Sequence, residues 1–154
     1  MALMWNRTVE WDSNDWRQLA ACRSTEPDLF FPIGTTGPAV DQIELHPFLQ
    51  QRETRAFCEA RGIVVEAYSP LTHGKRLQHA SVAAVAAAVG RSNAQVLLRW
   101  GIQHGLVVLP KSTKEERIRE NGAVFDFALD ATQMAKLDGL DEGFATAWDP
   151  RDQA

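Results

Sequence analysis

The pattern of hydrophobic and polar positions changes near residue 37. Before that point Trp5, Trp11 and Trp16 are scattered among polar residues, and residues 30–38 are dense in glycine and proline, which favour loops over packed elements. After it, apolar runs of strand length alternate with longer segments of helical periodicity. The pattern predicts a loop-rich segment over residues 1–37, followed by an α/β domain.

Three short apolar runs predict β-strands. They cover residues 39–44, 63–68 and 106–110. The second run stops at Ser69-Pro70, where a proline cannot continue a ladder of hydrogen bonds. The third run is apolar at every position before its proline, which predicts a strand buried on both faces.

Five further segments have the composition and periodicity of helices. They cover residues 49–61, 81–89, 93–104, 113–121 and 132–140. Gly62 lies where a helix C-terminal glycine is expected, and Thr132 is the candidate N-cap of the last helix. Val96, Leu97 and Trp100 share one side of the third helix, which predicts core positions. Strands that alternate with helices indicate βα units and a parallel sheet.

Composition and charge exclude several classes of protein. A chain of 154 residues, 45% hydrophobic and 23% charged, has the size and composition of one ordinary soluble domain. Its net charge of -4 argues against a nucleic-acid partner that binds through overall charge. The chain has no apolar run of about 20 residues and no export signal, so we expect no membrane contact and a cytoplasmic location. Cys22 and Cys58 are too few and too far apart to predict a disulfide framework or a zinc site.

Residues that follow the strands are the candidates for chemistry, because ligands of parallel α/β proteins bind at the carboxyl ends of strands. These candidates are Gln42, Glu44 and His46, then Tyr68 and Ser69, then Lys111 and Ser112, with Arg117 one to two turns into the next helix. A lysine, a hydroxyl and an arginine near a helix start favour a phosphate ligand. The alternative is a solvated basic loop in which Arg117 pairs with Glu116 or Glu120, and spacing alone does not decide between the two.

The run at residues 109–121, LPKSTKEERIREN, resembles the C-terminal motif of the aldo-keto reductases. Further similar blocks lie in the order of that family at residues 38–47, 66–71, 94–100, 124–127 and 148–150. The resemblance implies that residues 38–154 form a partial (β/α)8 TIM barrel, about its last three βα units, with a site for NADP.

The resemblance also implies a role for individual residues in binding the dinucleotide. Gln42 matches the glutamine that hydrogen-bonds the nicotinamide carboxamide, and Tyr68 matches the aromatic ring on which the nicotinamide stacks. Residues along the rest of the cofactor match as follows: Ser69 and Leu71 at the pyrophosphate, Lys111, Ser112 and Arg117 at the 2′-phosphate, and Glu120 and Asn121 at the adenine. His46 matches a structural histidine, and Asp41 stands where the family commonly has asparagine.

No residue of this chain matches the catalytic tyrosine of the family or its aspartate, lysine and histidine helpers, which come from the first half of the barrel. Tyr68 is the single tyrosine, and the resemblance assigns it to stacking. We therefore expect an NADP-dependent oxidoreductase fragment that is inactive alone and acts on a small carbonyl substrate only when another chain completes it. Its open sheet edges leave room for self-association.

The leading segment resembles a different family, the WhiB-like iron–sulfur transcriptional regulators, over residues 11–44. Cys22 matches the first of the four cysteines that hold their [4Fe–4S] cluster, but the other three are missing, so we expect no cluster. A fragment of such a regulator and a chimeric product without function are the alternatives to the reductase hypothesis. The two resemblances overlap at residues 37–44, where a join is expected.

Overall fold

The computed structural model describes residues 38–147. Its sheet has three strands in the order β1 (Val40–Glu44), β2 (Val64–Tyr68) and β3 (Val107–Leu109). Both pairs are parallel, as the alternation of strands and helices predicts. Within the described residues, β1 and β3 are the two edges of the sheet.

Within residues 38–147, five α-helices and one short 3₁₀ turn connect and follow the strands. They are α1 (Arg52–Glu59), the turn Thr72–Gly74, α2 (Ala80–Val89), α3 (Asn93–Gln103), α4 (Glu115–Gly122) and α5 (Ala131–Asp138). Helix α1 begins three residues later than predicted, because Leu49 forms an isolated bridge with His46 and Gln51 has a left-handed backbone, φ 46°. Gly62 follows α1 with φ +66°, the conformation for which a glycine was predicted there.

The N-cap of α5 is Asp130, and the prediction of Thr132 was wrong. The Asp130 carboxylate accepts a hydrogen bond from the backbone N–H of Gln133 at 2.8 Å, and the Gln133 side chain accepts one from the Asp130 N–H at 2.9 Å. This reciprocal pair satisfies two N–H groups of the first turn. A capping box therefore starts the helix one residue before Thr132.

One face of the sheet packs against the helices and carries the core. Val65 and Ala67 are buried on it, and Ile43 and Val108 pack against the same cluster. The predicted stripe of α3 is confirmed as core, since its members are at most 1% exposed: Val96, Leu97 and Trp100. Helix α3 approaches β3 closely at Gly101, where a Cβ atom would lie 2.6 Å from Cγ1 of Val108.

The opposite face of the sheet is open, and residues 38–147 place no second layer over it. Val64, Val107 and Leu109 project from this face and are 46%, 42% and 37% exposed. The prediction that the third strand is buried on both faces was wrong, because only Val108 of β3 reaches the core. An unbroken apolar run shows that both faces of a strand are apolar, but it does not show that both are covered.

Among residues 38–147, no single helix is long and apolar enough to cross a membrane, although the bent pair α2 and α3 meets the length and composition criteria together.

Candidate functional site

The carboxyl ends of the three strands lie side by side. The register pairs Glu44 with Tyr68 and Tyr68 with Leu109, and neighbouring strands of a sheet are about 4.8 Å apart. The loops that follow the strands therefore leave the sheet at one edge. The sequence predicted this convergence, and the structure brings these loops together.

Gln42 lies inside β1 rather than after it, on the open face of the sheet. Its side-chain Nε2 donates a hydrogen bond to Oε2 of Glu66, its register partner on β2, at 3.0 Å. Within residues 38–147 its Oε1 has no hydrogen-bond partner. Tyr68, the last residue of β2, is half-buried on the same face. A carbonyl oxygen and an aromatic ring thus line one side of the sheet.

Asp41 lies on the other face of β1, as strand alternation predicts. Its Oδ2 accepts a hydrogen bond from Sγ of Cys58 at 3.6 Å. Burial raises the pKa of Asp41 above its ordinary value, and the bond from Cys58 opposes that rise. Asp41 is therefore separated from the open face on which Gln42 projects.

The loop after β2 holds three non-glycine residues in the left-handed backbone region. They are Ser69, Thr72 and His73, with φ of 50°, 54° and 49°. Ser69 Oγ lies 2.7 Å from Nε2 of His73, while Leu71 packs against the core. Sequence reasoning assigned Ser69 and Leu71 but missed His73, because nothing in the pattern signals left-handed residues other than glycine.

The loop after β3 carries the predicted cations. Lys111 and Arg117 are exposed, and Arg117 is the third residue of α4, closer to the helix start than predicted. Ser112 Oγ accepts a hydrogen bond from the Lys114 N–H at 3.2 Å, which holds the turn into the helix.

The alternative in which Arg117 pairs with Glu116 or Glu120 is not observed. The ion pair of this helix joins Arg119 to Glu115 at 2.7 Å, and within residues 38–147 neither Lys111 nor Arg117 forms one. Both cations are therefore available to an anion from solvent.

The end of α4 is held against α3. Gln95 Nε2 donates to the backbone oxygens of Glu120 at 3.4 Å and Ala123 at 2.7 Å. Glu120 and Asn121 are both partly exposed there, at the opposite end of α4 from Ser112.

Glu44 and His46 form a buried pair beside the site. The Glu44 carboxylate accepts hydrogen bonds from the Thr146 N–H at 2.8 Å, the Thr146 hydroxyl and the Ala147 N–H at 3.0 Å, and it lies 3.2 Å from Nε2 of His46. Burial acts to raise the pKa of Glu44, but these bonds outweigh it and lower the pKa. Burial lowers the pKa of His46 despite the neighbouring carboxylate.

The arrangement of Glu44 and His46 is that of a structural pair. His46 is 1% exposed, and its Nδ1 has no hydrogen-bond partner. A buried, neutral histidine that holds a carboxylate fits the structural role that the resemblance implies for it. Sequence reasoning placed Glu44 at the strand end but had no signal for its bonds to Thr146, which is 102 positions away.

No group of three or more histidine, cysteine, aspartate or glutamate side chains in residues 38–147 has the arrangement of a metal site. Cys22, the lone match to an iron–sulfur ligand, lies outside the described residues, as do residues 148–150.

A parallel sheet whose strand ends carry amide, aromatic, hydroxyl and cationic side chains is typical of α/β proteins that bind an anionic organic ligand. The model of the aldo/keto reductase family matches residues 32–142. The chain belongs to the aldo/keto reductase family.

Several relatives illustrate the similarity. The chain is 56% identical over 113 residues to an aldo-keto reductase of Mycolicibacterium vanbaalenii, covering 73% of this chain and 40% of that protein. It is 40% identical over 171 aligned positions to morphine 6-dehydrogenase of Pseudomonas putida, covering 96% of this chain and 58% of that protein. The chain thus spans about half the length of these curated relatives.

Solved structures share the fold. A variant of Gox0644 in complex with NADPH superposes with a TM-score of 0.75 at 38% identity, covering 81% of this chain and 48% of that chain. The aldo-keto reductase MGS-M4, from a deep-sea metagenome library, superposes with a TM-score of 0.76 at 30% identity, covering 82% and 48%. The α/β fold with parallel strands is therefore that of aldo-keto reductases.

The resemblance to WhiB-like regulators covers residues 11–44, and most of it, residues 11–37, lies outside the described residues. None of these comparisons supports it, and the alignment with morphine 6-dehydrogenase extends over 96% of this chain. It stays a hypothesis.

Proposed function

We propose that residues 38–147 form the NADP(H)-binding part of an aldo-keto reductase that reduces small carbonyl compounds. The observation that carries the proposal is the convergence of suitable groups at the carboxyl ends of three adjacent strands. In this proposal Gln42 binds the carboxamide and Tyr68 stacks on the nicotinamide. The other contacts follow the sheet edge: Ser69 and Leu71 at the pyrophosphate, Lys111, Ser112 and Arg117 at the 2′-phosphate, and Glu120 and Asn121 at the adenine.

The donor set fits such a ligand. Lys111 and Arg117 are exposed and without an ion pair in residues 38–147, so binding a phosphate does not require breaking one. Ser112 lies in the turn at the start of α4, where free backbone N–H groups favour an anion. Gln42 offers an amide oxygen on the open face, beside Tyr68. The Gox0644 variant whose structure superposes on this chain was solved in complex with NADPH, and NADPH is the ligand that we propose for this site.

The chemistry of the reaction divides between the cofactor and the protein. A reduced nicotinamide, when bound, supplies the hydride that a carbonyl carbon accepts. The developing alkoxide also needs a proton donor. Tyr68 is the single tyrosine of this sequence and is assigned to stacking, so we propose that another chain supplies the acid. In this proposal the other chain also adds strands at the edges of the sheet, so that a (β/α)8 barrel encloses the open face.

Alanine substitutions at Lys111 and Arg117 test the cofactor site. Each is expected to raise the Kd for NADPH by about 10- to 100-fold, because a charge-assisted hydrogen bond contributes about 1.5–3 kcal/mol and 1.4 kcal/mol is a factor of ten. Fluorescence titration of NADPH against the wild type and both variants measures the change.

Arg119→Ala is the matched control for Arg117→Ala. Both residues lie on α4, but Arg119 is engaged by Glu115, so its loss is expected to leave the Kd nearly unchanged. If the wild type fails to bind NADPH, or if all three variants bind it as tightly as the wild type does, the cofactor-site proposal is wrong.

The isolated chain is expected to reduce carbonyl compounds no faster than the uncatalysed background. One of its relatives is a glyoxal reductase of Bacillus subtilis, 47% identical over 105 residues, and glyoxal is therefore a suitable test substrate. The measurement is NADPH oxidation at saturating cofactor, with a complete aldo-keto reductase as the positive control. Turnover by this chain that survives Tyr68→Phe would show that it contains an acid of another kind.

A further inference from the structure

Glu66 places a carboxylate in the middle of the open face of the sheet. It lies on β2, the central strand, and its register partners are Gln42 on β1 and Val107 on β3. By strand alternation, Val64 and Tyr68 project from the same face on either side of it. Within residues 38–147 the hydrogen bond that reaches this carboxylate comes from Gln42, at 3.0 Å.

The carboxylate fixes which end of the Gln42 amide faces it. A carboxylate only accepts hydrogen bonds, whereas a glutamine amide has a donor end, Nε2, and an acceptor end, Oε1. If the amide turned over, two acceptor atoms would face each other with no hydrogen between them. The bond from Nε2 of Gln42 to Oε2 of Glu66 therefore excludes the flipped amide and leaves Oε1 for a donor from elsewhere.

This fixed orientation matters for the proposed ligand. The carboxamide of a nicotinamide has an NH2 group that donates hydrogen bonds and an oxygen that accepts them. Because Oε1 of Gln42 only accepts, it pairs with the NH2 group and not with the oxygen. Without Glu66 the amide can present either end, so that a ligand without the NH2 group finds a partner as well.

We infer that Glu66 is a positioning residue, which holds the Gln42 amide in the orientation that binds the carboxamide NH2 group of the nicotinamide. This inference rests on the proposed function, because it explains how Gln42 recognises that group. Glu66 acts through Gln42 and does not itself contact the cofactor. Its replacement is therefore expected to change selectivity at the nicotinamide and to leave the adenine end unaffected.

An analogue without the NH2 group tests this role. In the 3-acetylpyridine analogue of NADP⁺ a methyl group replaces the NH2 group, so nothing donates to Oε1 of Gln42. The wild type is expected to bind this analogue about 3- to 10-fold more weakly than NADP⁺, the factor for one net hydrogen bond. Isothermal titration of both ligands measures the ratio of the two Kd values.

Glu66→Gln is the informative variant, because it keeps the size of the side chain. The new amide can accept from Gln42 or donate to it, so Gln42 is free to turn and offer Nε2 to the acetyl oxygen of the analogue. The expected ratio of the two Kd values is below about twofold. Adenosine 2′,5′-bisphosphate, which lacks the nicotinamide, is expected to bind this variant and the wild type with the same Kd.

Glu59→Gln is the matched control. It removes an exposed carboxylate from α1, the helix whose Cys58 contacts Asp41 on the opposite face of the sheet. The wild-type ratio is expected to remain. Circular dichroism and thermal melting establish that each variant is folded.

Replacing Gln42 separates a positioning role from a direct electrostatic one. Gln42→Leu has no amide to orient, so adding Glu66→Gln to it is expected to change the Kd for either ligand by less than about twofold. A carboxylate that acted directly on the positive ring of both ligands would strengthen binding with or without Gln42. If Glu66→Gln weakens both ligands equally in the two backgrounds, the inference is wrong.

The outcomes also distinguish the inference from the proposed function. If Glu66→Gln keeps the wild-type ratio, the inference is wrong and the cofactor site stands. If the wild type binds both dinucleotides equally well, Gln42 does not recognise the NH2 group, and the inference is wrong while the 2′-phosphate contacts stand. If the wild type binds neither dinucleotide nor the bisphosphate, the proposed function is wrong as well.

Discussion

Replacing Trp100 with alanine is expected to lower the free energy of unfolding by about 3–5 kcal/mol, the range for removing a large aromatic side chain from a core. Trp100 is 1% exposed and is the largest fully buried side chain among residues 38–147. Its indole Nε1 donates to Oδ1 of Asp138 at 2.8 Å, and its ring lies 4.6 Å from that of His104. The loss therefore combines a cavity with the removal of one of the two hydrogen bonds to Oδ1 of Asp138.

Urea unfolding followed by circular dichroism measures the effect, since tryptophan fluorescence changes with the substitution itself. Trp100→Phe is the matched control, because it retains an apolar ring but removes the bond to Asp138. Its expected cost is about 1.5–3 kcal/mol, the contribution of a hydrogen bond to a charged group, while Oδ1 of Asp138 keeps His104 as a partner. A midpoint for Trp100→Ala equal to that of the wild type would show that the ring is not packed as described.

Replacing Glu44 with alanine is expected to lower the free energy of unfolding by about 3–6 kcal/mol, because each hydrogen bond to a charged group contributes about 1.5–3 kcal/mol and the Glu44 carboxylate accepts one from each of the Thr146 and Ala147 N–H groups. The Thr146 and Ala147 donors and the His46 ring would all lose their acceptor. Chemical denaturation at neutral pH measures this loss. The reference variant is Glu142→Gln, whose carboxylate is 48% exposed in its ion pair with Arg76, and which is expected to cost less than about 1 kcal/mol.

The same pair makes stability depend on pH. The pKa of His46 is lowered in the folded protein, so the unfolded chain takes up a proton first as the pH falls below about 6.5, and stability declines. The pKa of Glu44 is also lowered, so its contribution is complete above about pH 4.3 and is lost as the pH falls through the lower folded value. In Glu44→Gln the second decline is expected to disappear. If the free energy of unfolding of Glu44→Gln falls as steeply at acidic pH as that of the wild type, this account is wrong.

The order of elements was predictable because it depends on local pattern. The run at residues 63–68 is apolar and β-branched, and it ends at a proline, so its identity as a strand follows from its own residues. The helix stripe of Val96, Leu97 and Trp100 is equally local. Element boundaries were less predictable, because α1 starts after a bridge between His46 and Leu49 and a left-handed Gln51, and neither feature has a sequence marker.

The candidate site was predictable only in part, and mostly through resemblance. Spacing alone brought Lys111, Ser112 and Arg117 to a helix start but left the pairing of Arg117 open. The bond between Gln42 and Glu66 depends on the register of β1 against β2, which the residues of one strand alone do not specify. The contact between Ser69 and His73 depends on left-handed backbone at residues that usually avoid it. Contacts of this kind result from tertiary structure and overrule local preference.

The close approach of α3 to β3 at Gly101 means that a buried residue determines the position of a distant surface loop. Because the space between α3 and β3 excludes even one methyl group beside Val108, the distance between helix and strand is set by the absence of a side chain. Strand β3 ends two residues before Lys111, so the distance between α3 and β3 also determines where the loop that carries this lysine lies. A methyl group at position 101 would push α3 and β3 apart and so displace the proposed phosphate-binding residues without contacting any of them.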